Sequence, residues 1–330
     1  MNSTDSLLSL IKIFRKWFKS ILILCSIAVI AAVIISLTLD NYYKSTTIFY
    51  AASSDLAKPA PIGGFEINID YYGRDEDIDR LLSIANSGEL ANTLIEEFNL
   101  AEHYEIKTET AKGKFKVNEH FRKLFSAQKN KFDAIEISVE DKDPELSRKI
   151  ANRARDVINE IAQRTIKRSQ SLQIEKFKSN ITRKTIDLDS LTRKIEREKS
   201  KYGIFDTEYQ GQALTEALAS ATNKSQIAAI EKQIQDFTKG VSRVVVLEQE
   251  QREFGLQLSL DKERYKQLLS AKQSDYNAIH LIESAETPLV KSRPKRSILV
   301  LSVALISLFF SLLVAVVVEK YKSVNWNEVK

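Results

Sequence analysis

Apolar positions recur along this chain in four rhythms, and each predicts a different kind of element. Two stretches are continuously apolar: Ile21 to Leu39 runs 19 residues without a charge, and Ile298 to Val318 runs 21. As helices they would extend roughly 28 and 31 Å, enough to cross a hydrocarbon core. Alternation of period two marks strands. Within Asp133 to Glu140, Ile135, Ile137 and Val139 oppose Glu136, Ser138 and Glu140. Tyr43 to Ala51 carries the β-favouring Thr46, Thr47, Ile48, Phe49 and Tyr50, and Ile279, Leu281 and Ile282 predict a last strand over Ala278 to Ala285. Steps of three and four residues mark helices. Ile78, Leu81, Leu82 and Ala85, then Leu90, Leu94, Ile95 and Phe98, predict two helices across Asp75 to Phe98, divided at Asn86-Ser87-Gly88. A further short helix is expected at Phe121 to Phe125, and Ser53 to Gly64, with Pro59, Pro61, Gly63 and Gly64, reads as a loop.

The fourth rhythm is a strict seven-residue step. Asp143-Pro144-Glu145 combines a capping acid, a first-turn proline and a first-turn glutamate, a strong helix start. No Pro or Gly follows until Gly203, which predicts a helix roughly 85 Å long. Ile174, Ile181, Leu188, Ile195 and Tyr202 form a coiled-coil seam on it. The second seam position, Phe177, Lys184, Leu191 and Glu198, is half polar, which favours an intramolecular partner over a free dimer. Gly203 to about Gly240 is predicted as a tip with a helical middle. A second helix, from about Val241 to Ser274, then returns with Leu247, Phe254, Leu258, Tyr265, Leu268 and Leu269 as its apolar face.

Charge sets the expected orientation. Lys12, Arg15, Lys16 and Lys19 precede the first apolar run and only Lys44 closely follows it, so the positive-inside rule puts the N-terminus in the cytoplasm. A second crossing returns Lys320 and Lys322 to that side. Lys291, Arg293, Lys295 and Arg296 oppose this assignment, but the loop between the runs has 258 residues and translocates largely regardless of charge. The first run exceeds the 7–15 apolar residues of about the usual signal-peptide core. Its exit, Ser36-Leu37-Thr38-Leu39-Asp40, also lacks a small-x-small cleavage site, so an uncleaved anchor is expected. The segments outside the runs are short, and specific function is expected in the outer loop or in the membrane.

Composition then narrows the chemistry. The single cysteine, Cys25, admits no internal disulfide and no cysteine-based zinc site, and His103, His120 and His280 fall in no metal-binding spacing. Asp75, Glu76, Asp77 and Asp79 are read as acids favouring a helix N-terminus rather than a catalytic carboxylate pair. No G-x-x-x-x-G-K-[ST] loop is present to cradle a nucleotide phosphate. Between residues 40 and 297, 42 Lys and Arg face 41 Asp and Glu, a balance with no broad pull on nucleic acid. The expectation is a protein that is not an enzyme, with no cofactor and no metal.

Two motifs remain. Ala28, Ala32 and Ser36 recur every four residues in the first apolar run, and Ser307, Ser311 and Ala315 in the second. Small ridges of this kind let membrane helices approach closely. The second motif, Ala285-Glu286-Thr287-Pro288-Leu289-Val290-Lys291-Ser292-Arg293-Pro294-Lys295-Arg296, leads directly into the second run. Its Arg293, Lys295 and Arg296 suit either sugar phosphates and a protein partner or the lipid head groups that set helix depth.

These residues resemble the polysaccharide co-polymerases, the Wzz-type chain-length determinant family. The likeness covers the anchor, Tyr43 to Ala51, the strand-to-helix passage Ser138 to Leu146, the helical segments Leu247 to Glu253 and Tyr265 to Leu269, and above all the Pro/basic segment with Pro288, Arg293, Pro294, Lys295 and Arg296. The family usually carries a further proline near Lys291, which is absent here. The resemblance implies a ring-like homo-oligomer of a bacterial inner membrane. It would act with a separate polysaccharide polymerase or export machinery, on a polysaccharide or lipid-linked glycan, and any tyrosine kinase would be a separate protein. The expected fold class is an α+β membrane protein: two transmembrane helices flanking a periplasmic α/β base, with a long protruding helical hairpin. The boundaries are 1–20 (cytoplasmic), 21–39 (first membrane helix), 40–143 (base), 144–274 (hairpin, tip near 203–240), 275–297 (return strand and linker), 298–318 (second membrane helix) and 319–330 (cytoplasmic tail). The competing readings are a sensory receptor, which lacks an output module here, and a periplasmic adaptor of a secretion or efflux pump, which usually has one anchor and a Gly-rich β domain.

Overall fold

The computed structural model describes residues 3–59 and 70–323. In chain order the elements are helix α1 (Ser3–Thr38), strand β1 (Tyr43–Ala51), helices α2 (Asp75–Ala85), α3 (Gly88–Glu97), α4 (Leu100–His103) and α5 (Ala111–Leu124), and strands β2 (Phe125–Lys129) and β3 (Ile135–Asp141). Helices α6 (Pro144–Tyr202), α7 (Gln210–Ser220) and α8 (Lys224–Gln273), strand β4 (Ile279–Glu283) and helix α9 (Arg296–Ser323) complete the chain. Two units form: Met1–Ala51 with Ile78–Ile158 and Ile279–Lys330, and Ala52–Asp77 with Asn159–Ala278. The expected loop from Ser53 to Gly64 lies partly outside the described residues.

In the first unit α1 and α9 pack antiparallel. Cys25 Sγ lies 3.8 Å from Ser311 Oγ, while Lys16 Nζ and Trp17 Nε1 donate to the Glu319 carboxylate at 2.5 and 3.0 Å. Lys12–Thr38 and Arg296–Tyr321 are long and apolar enough to cross a membrane. Their outward Leu, Ile, Val and Phe side chains are exposed, as a lipid-facing surface requires.

The sheet of this unit has the order β2-β3-β1-β4, every pair antiparallel. β1 lies opposite β3 from Tyr43↔Asp141 to Phe49↔Ile135. Its alternation buries Ser45, Thr47, Phe49 and Ala51. Toward β4 the register shifts between Ile48 and Phe49, and such a bulge interrupts the ladder. Hydroxyls add bonds along this edge: Thr47 donates to the Glu283 carbonyl, and Ser45 to the Glu286 carbonyl beyond the end of β4, each at 2.7 Å. That is why two polar side chains can be buried in a core strand. Asn152 on α6 continues the edge, donating to the Ala285 carbonyl at 2.9 Å and accepting from its N–H at 3.0 Å. Leu90, Leu94, Phe121, Ile137, Ile150 and Ile158 are among the fully buried side chains of this core.

Two elements here differ from the sequence expectation. α5 starts at Ala111 rather than near Phe121, because Thr110 caps it by accepting the Gly113 N–H at 3.1 Å. Its lysine-rich face hides a buried stripe of Val117, Phe121 and Leu124. β2 alternates only briefly, with Phe125 and Ala127 half-buried between exposed Ser126 and Gln128, because it is a short edge strand held mainly by its ladder to β3.

In the second unit α6 and α8 pack side by side as a hairpin. Ile195, Ile204, Val244 and Leu247 form a buried cluster, flanked by Leu191, Tyr202, Phe237 and Val241. The polar seam positions have partners on α8: Lys184 pairs with Asp261 at 2.8 Å, and Glu198 faces Arg243 at 3.8 Å. Lys199 meets Glu248 at 2.5 Å, and Gln251 donates to Thr192 at 2.7 Å. α8 begins at Lys224, well before the expected Val241, and passes straight through Gly240. Asn223 caps it by accepting the Ser225 N–H at 3.0 Å. The expected tip therefore shrinks to the turn after Gly203 and the short α7. Gly240 is a contact glycine, not a breaker: a Cβ there would sit 2.5 Å from the Tyr202 ring.

The two helical glycines of α8 should respond oppositely. Gly255→Ala meets open space and should stabilise the protein by about 0.5–1 kcal/mol through helix propensity. Gly240→Ala must displace Tyr202 and should destabilise it by about 1–3 kcal/mol. Thermal unfolding of the detergent-solubilised protein reads both, and equal shifts for the two variants would remove the contact argument.

Candidate functional site

The Pro/basic segment folds against the start of β1 and the end of β3. Residue 42 and residues 292–293 exchange backbone bonds: Tyr42 N–H donates to the Arg293 carbonyl at 3.0 Å, and Ser292 N–H to the Tyr42 carbonyl at 2.8 Å. These contacts tie the chain just after α1 to the chain just before α9. Arg293 reinforces the tie. Its Nε donates to Glu140 Oε2 at 2.6 Å, and its guanidinium lies 4.3 Å from the centre of the Tyr42 ring. Ser292 Oγ donates to the other Glu140 oxygen at 3.0 Å. The Arg293–Pro294 peptide is cis.

The remaining residues of the motif sit differently. Thr287 donates to Glu145 at 2.8 Å; its hydroxyl and Arg148 hold that carboxyl down at about 2, Arg148 contributing most. Pro288 is half-buried, whereas the neighbouring Leu289 and Val290 are 97% and 77% exposed. Lys291 Nζ and Arg296 Nη2 approach one atom, Asn41 Oδ1, at 3.4 and 3.3 Å. Lys295 is exposed. Of the small membrane residues, Ala32, Ser36, Ser311 and Ala315 are buried, and Ala28 and Ser307 are half-buried.

Beside this collar is a polar cavity of about 160 Å³ that includes Tyr42, His103, Tyr104, His120, Asp141 and Lys142 in its wall. Sequence spacing gave His103 and His120 no partners. The fold brings them together because α4, α5 and the end of β3 converge here. His103 Nε2 lies 2.9 and 3.1 Å from the two Asp141 oxygens, and Asp141 is fully buried. Asp141 also accepts the Asp143 N–H at 2.9 Å, so it helps start α6. The Tyr104 ring stands between the histidines, 5.2 Å from His103 and 4.5 Å from His120. Burial pushes the Tyr104 hydroxyl well above its ordinary range. Burial, and then Lys123, Lys142 and Arg293, hold His120 below its ordinary value against the opposing pull of Asp141. Among the described residues, no cluster of three or more His, Cys, Asp or Glu could hold a metal ion.

The fold thus favours the neutral form of His120. Its contribution to stability is complete above its unfolded value near 6.5 and is lost as pH falls through the lower folded value. The melting-temperature advantage of the native protein over His120→Asn should therefore shrink from pH 7.5 to 5. A difference independent of pH would contradict this.

No family model matches the chain, and no curated protein matches it. Among solved structures it is similar to a full-length bacterial polysaccharide co-polymerase, at 11% identity over 96% of this chain and 98% of that one, with a TM-score of 0.45. It is also similar to the wild-type Shigella flexneri lipopolysaccharide O-antigen chain-length regulator WzzBSF, at 11% identity, 76% and 100% coverage and a TM-score of 0.35. A fragment of WzzB, the polysaccharide co-polymerase from Salmonella Typhimurium, matches at 10% identity, 77% and 100% coverage and a TM-score of 0.32. The solved proteins this chain is similar to, over most of its length, are polysaccharide co-polymerases and O-antigen chain-length regulators.

Proposed function

We propose that this protein is a non-catalytic, oligomeric scaffold of a bacterial inner membrane that regulates the chain length, the export, or both, of a surface polysaccharide (O antigen, capsule or exopolysaccharide). The observation that carries this reading is the collar. The segment that bears the sequence resemblance, Pro288 to Arg296, is the one that pins the two membrane helices to a common sheet. Such a tie suits a protein that works at the membrane beside a polymerase and a growing glycan. In this mechanism several subunits align their hairpins in a ring, and polymer length follows from how long the glycan stays at the polymerase. Exposed Leu172, Ile186, Val246 and Leu256 on α6 and α8 give such neighbours apolar surface to cover.

The antiparallel pairing of α1 and α9 supports placing both termini on one side, and Lys12, Arg15, Lys16 and Lys19 favour the cytoplasm for that side. The sheet and hairpin then face the periplasm. We further propose that the small residues at Ala32 and Ser311 set the distance between the membrane helices.

Deleting the gene should shift the modal length or the yield of the surface polysaccharide on gels, and an unaltered ladder and yield would overturn the reading. A C-terminal fluorescent reporter should be active only as a cytoplasmic fusion. The double substitution Ala32→Leu with Ser311→Leu should alter the crosslinked oligomer ladder; an unchanged ladder would remove the packing role.

A further inference from the structure

The collar sorts its cations into two groups. Arg293 is matched by Glu140 at 2.6 Å, and Lys142 by Asp40 at 2.6 Å. Lys291, Lys295 and Arg296 form no ion pair among the described residues. Two of these three converge on one neutral acceptor, the Asn41 amide oxygen, at 3.4 and 3.3 Å. A single uncharged oxygen at the long end of hydrogen-bond range does not neutralise two cations. The Arg296 Nε is buried and has no hydrogen-bond partner. Convergent, unneutralised Lys and Arg side chains form the arrangement that recognises a phosphate group, with the guanidinium offering a fork and the ammonium a point charge.

The surroundings identify the source of that phosphate. Leu289 and Val290, adjacent in sequence to Lys291, are almost fully exposed, and α9 turns apolar at Ile298, just beyond Arg296. Apolar side chains exposed beside unpaired cations at the mouth of a membrane helix fit a molecule with acyl chains below an anionic head. We propose that Asn41, Lys291 and Arg296 form a defined site for the phosphate of an anionic membrane lipid, one per subunit. The site is occupied where the chain re-enters the bilayer, and it holds the collar at the depth of the head groups. This inference rests only on placement of α1 and α9 in a membrane; it is independent of the polysaccharide reading and fails separately from it.

Native mass spectrometry of the full-length protein in a neutral detergent, titrated with phosphatidylglycerol, tests the site. Binding should saturate at one lipid per subunit, and phosphatidylcholine should not reproduce it. Lys291→Gln with Arg296→Gln should weaken binding about tenfold or more. Lys112→Gln with Lys114→Gln, an equal charge change on α5, should leave it unaltered. Asn41→Asp separates the site from folding, because its carboxylate would pair with both cations in place and cancel one of their two charges. That variant should melt no lower than the native protein and yet lose the lipid. Native-like binding by Asn41→Asp, equal loss in the α5 control, or binding that rises without saturation would each overturn the proposal. Displacement of the lipid by inorganic phosphate at equal concentration would overturn its assignment to a lipid.

Discussion

The pairing of β1 with partners at both ends of the chain is the constraint on which the first unit depends. β1 begins a few residues after α1 and lies between β3 and β4, with β4 leading to α9. A central strand must have both edges satisfied, since an unpaired backbone polar group in a core is expensive. Satisfying them closes a loop of nearly the whole segment between α1 and α9, because Tyr42 and Ser292 are 250 residues apart. Loop-closure entropy grows only slowly with length, so a few short strands and a collar suffice to hold this contact. The membrane helices are then brought together from two directions, by the sheet at one end and by Lys16, Trp17 and Glu319 at the other.

In the hairpin, polar groups at seam positions are matched rather than replaced. Lys184 with Asp261 and Lys199 with Glu248 are partly shielded, and their net contribution to stability is small once desolvation is set against attraction. Their effect lies in register, because sliding α8 by one turn along α6 would leave each charge unpaired. Gly240 adds a steric element to the same specification, since only its missing side chain admits the Tyr202 ring. A hairpin fixed by both charge and shape holds its exposed faces in a defined order.

At the collar, Arg293 is engaged structurally, between a carboxylate and an aromatic ring, while Lys291 and Arg296 form no ion pair among the described residues. The Pro/basic segment is therefore two devices in one stretch of chain. One closes the base, and the other presents Lys291 and Arg296 to the neutral Asn41 amide oxygen.

Local rhythm alone determined the membrane helices, the strand β1, the division between α2 and α3 and the start of α6. In each case the signal is carried by adjacent side chains: an uncharged run, a β-branched cluster, Asn86-Ser87-Gly88, or Asp143-Pro144-Glu145. The seven-residue seam also anticipated that α6 needs a partner within its own chain. What only the tertiary structure decided are features whose cause lies far away in sequence. β2 is a strand because β3 offers it a ladder, and Gly240 continues a helix because Tyr202 fills its place. Ser45 and Thr47 can be buried because carbonyls of β4 and of the segment after it accept from their hydroxyls. His103 meets Asp141, and Arg293 meets Glu140 and Tyr42, because the sheet register places them so. Periodicity reports which face of an element is apolar, but it carries no information on which other element covers that face, and side-chain chemistry depends on that neighbour.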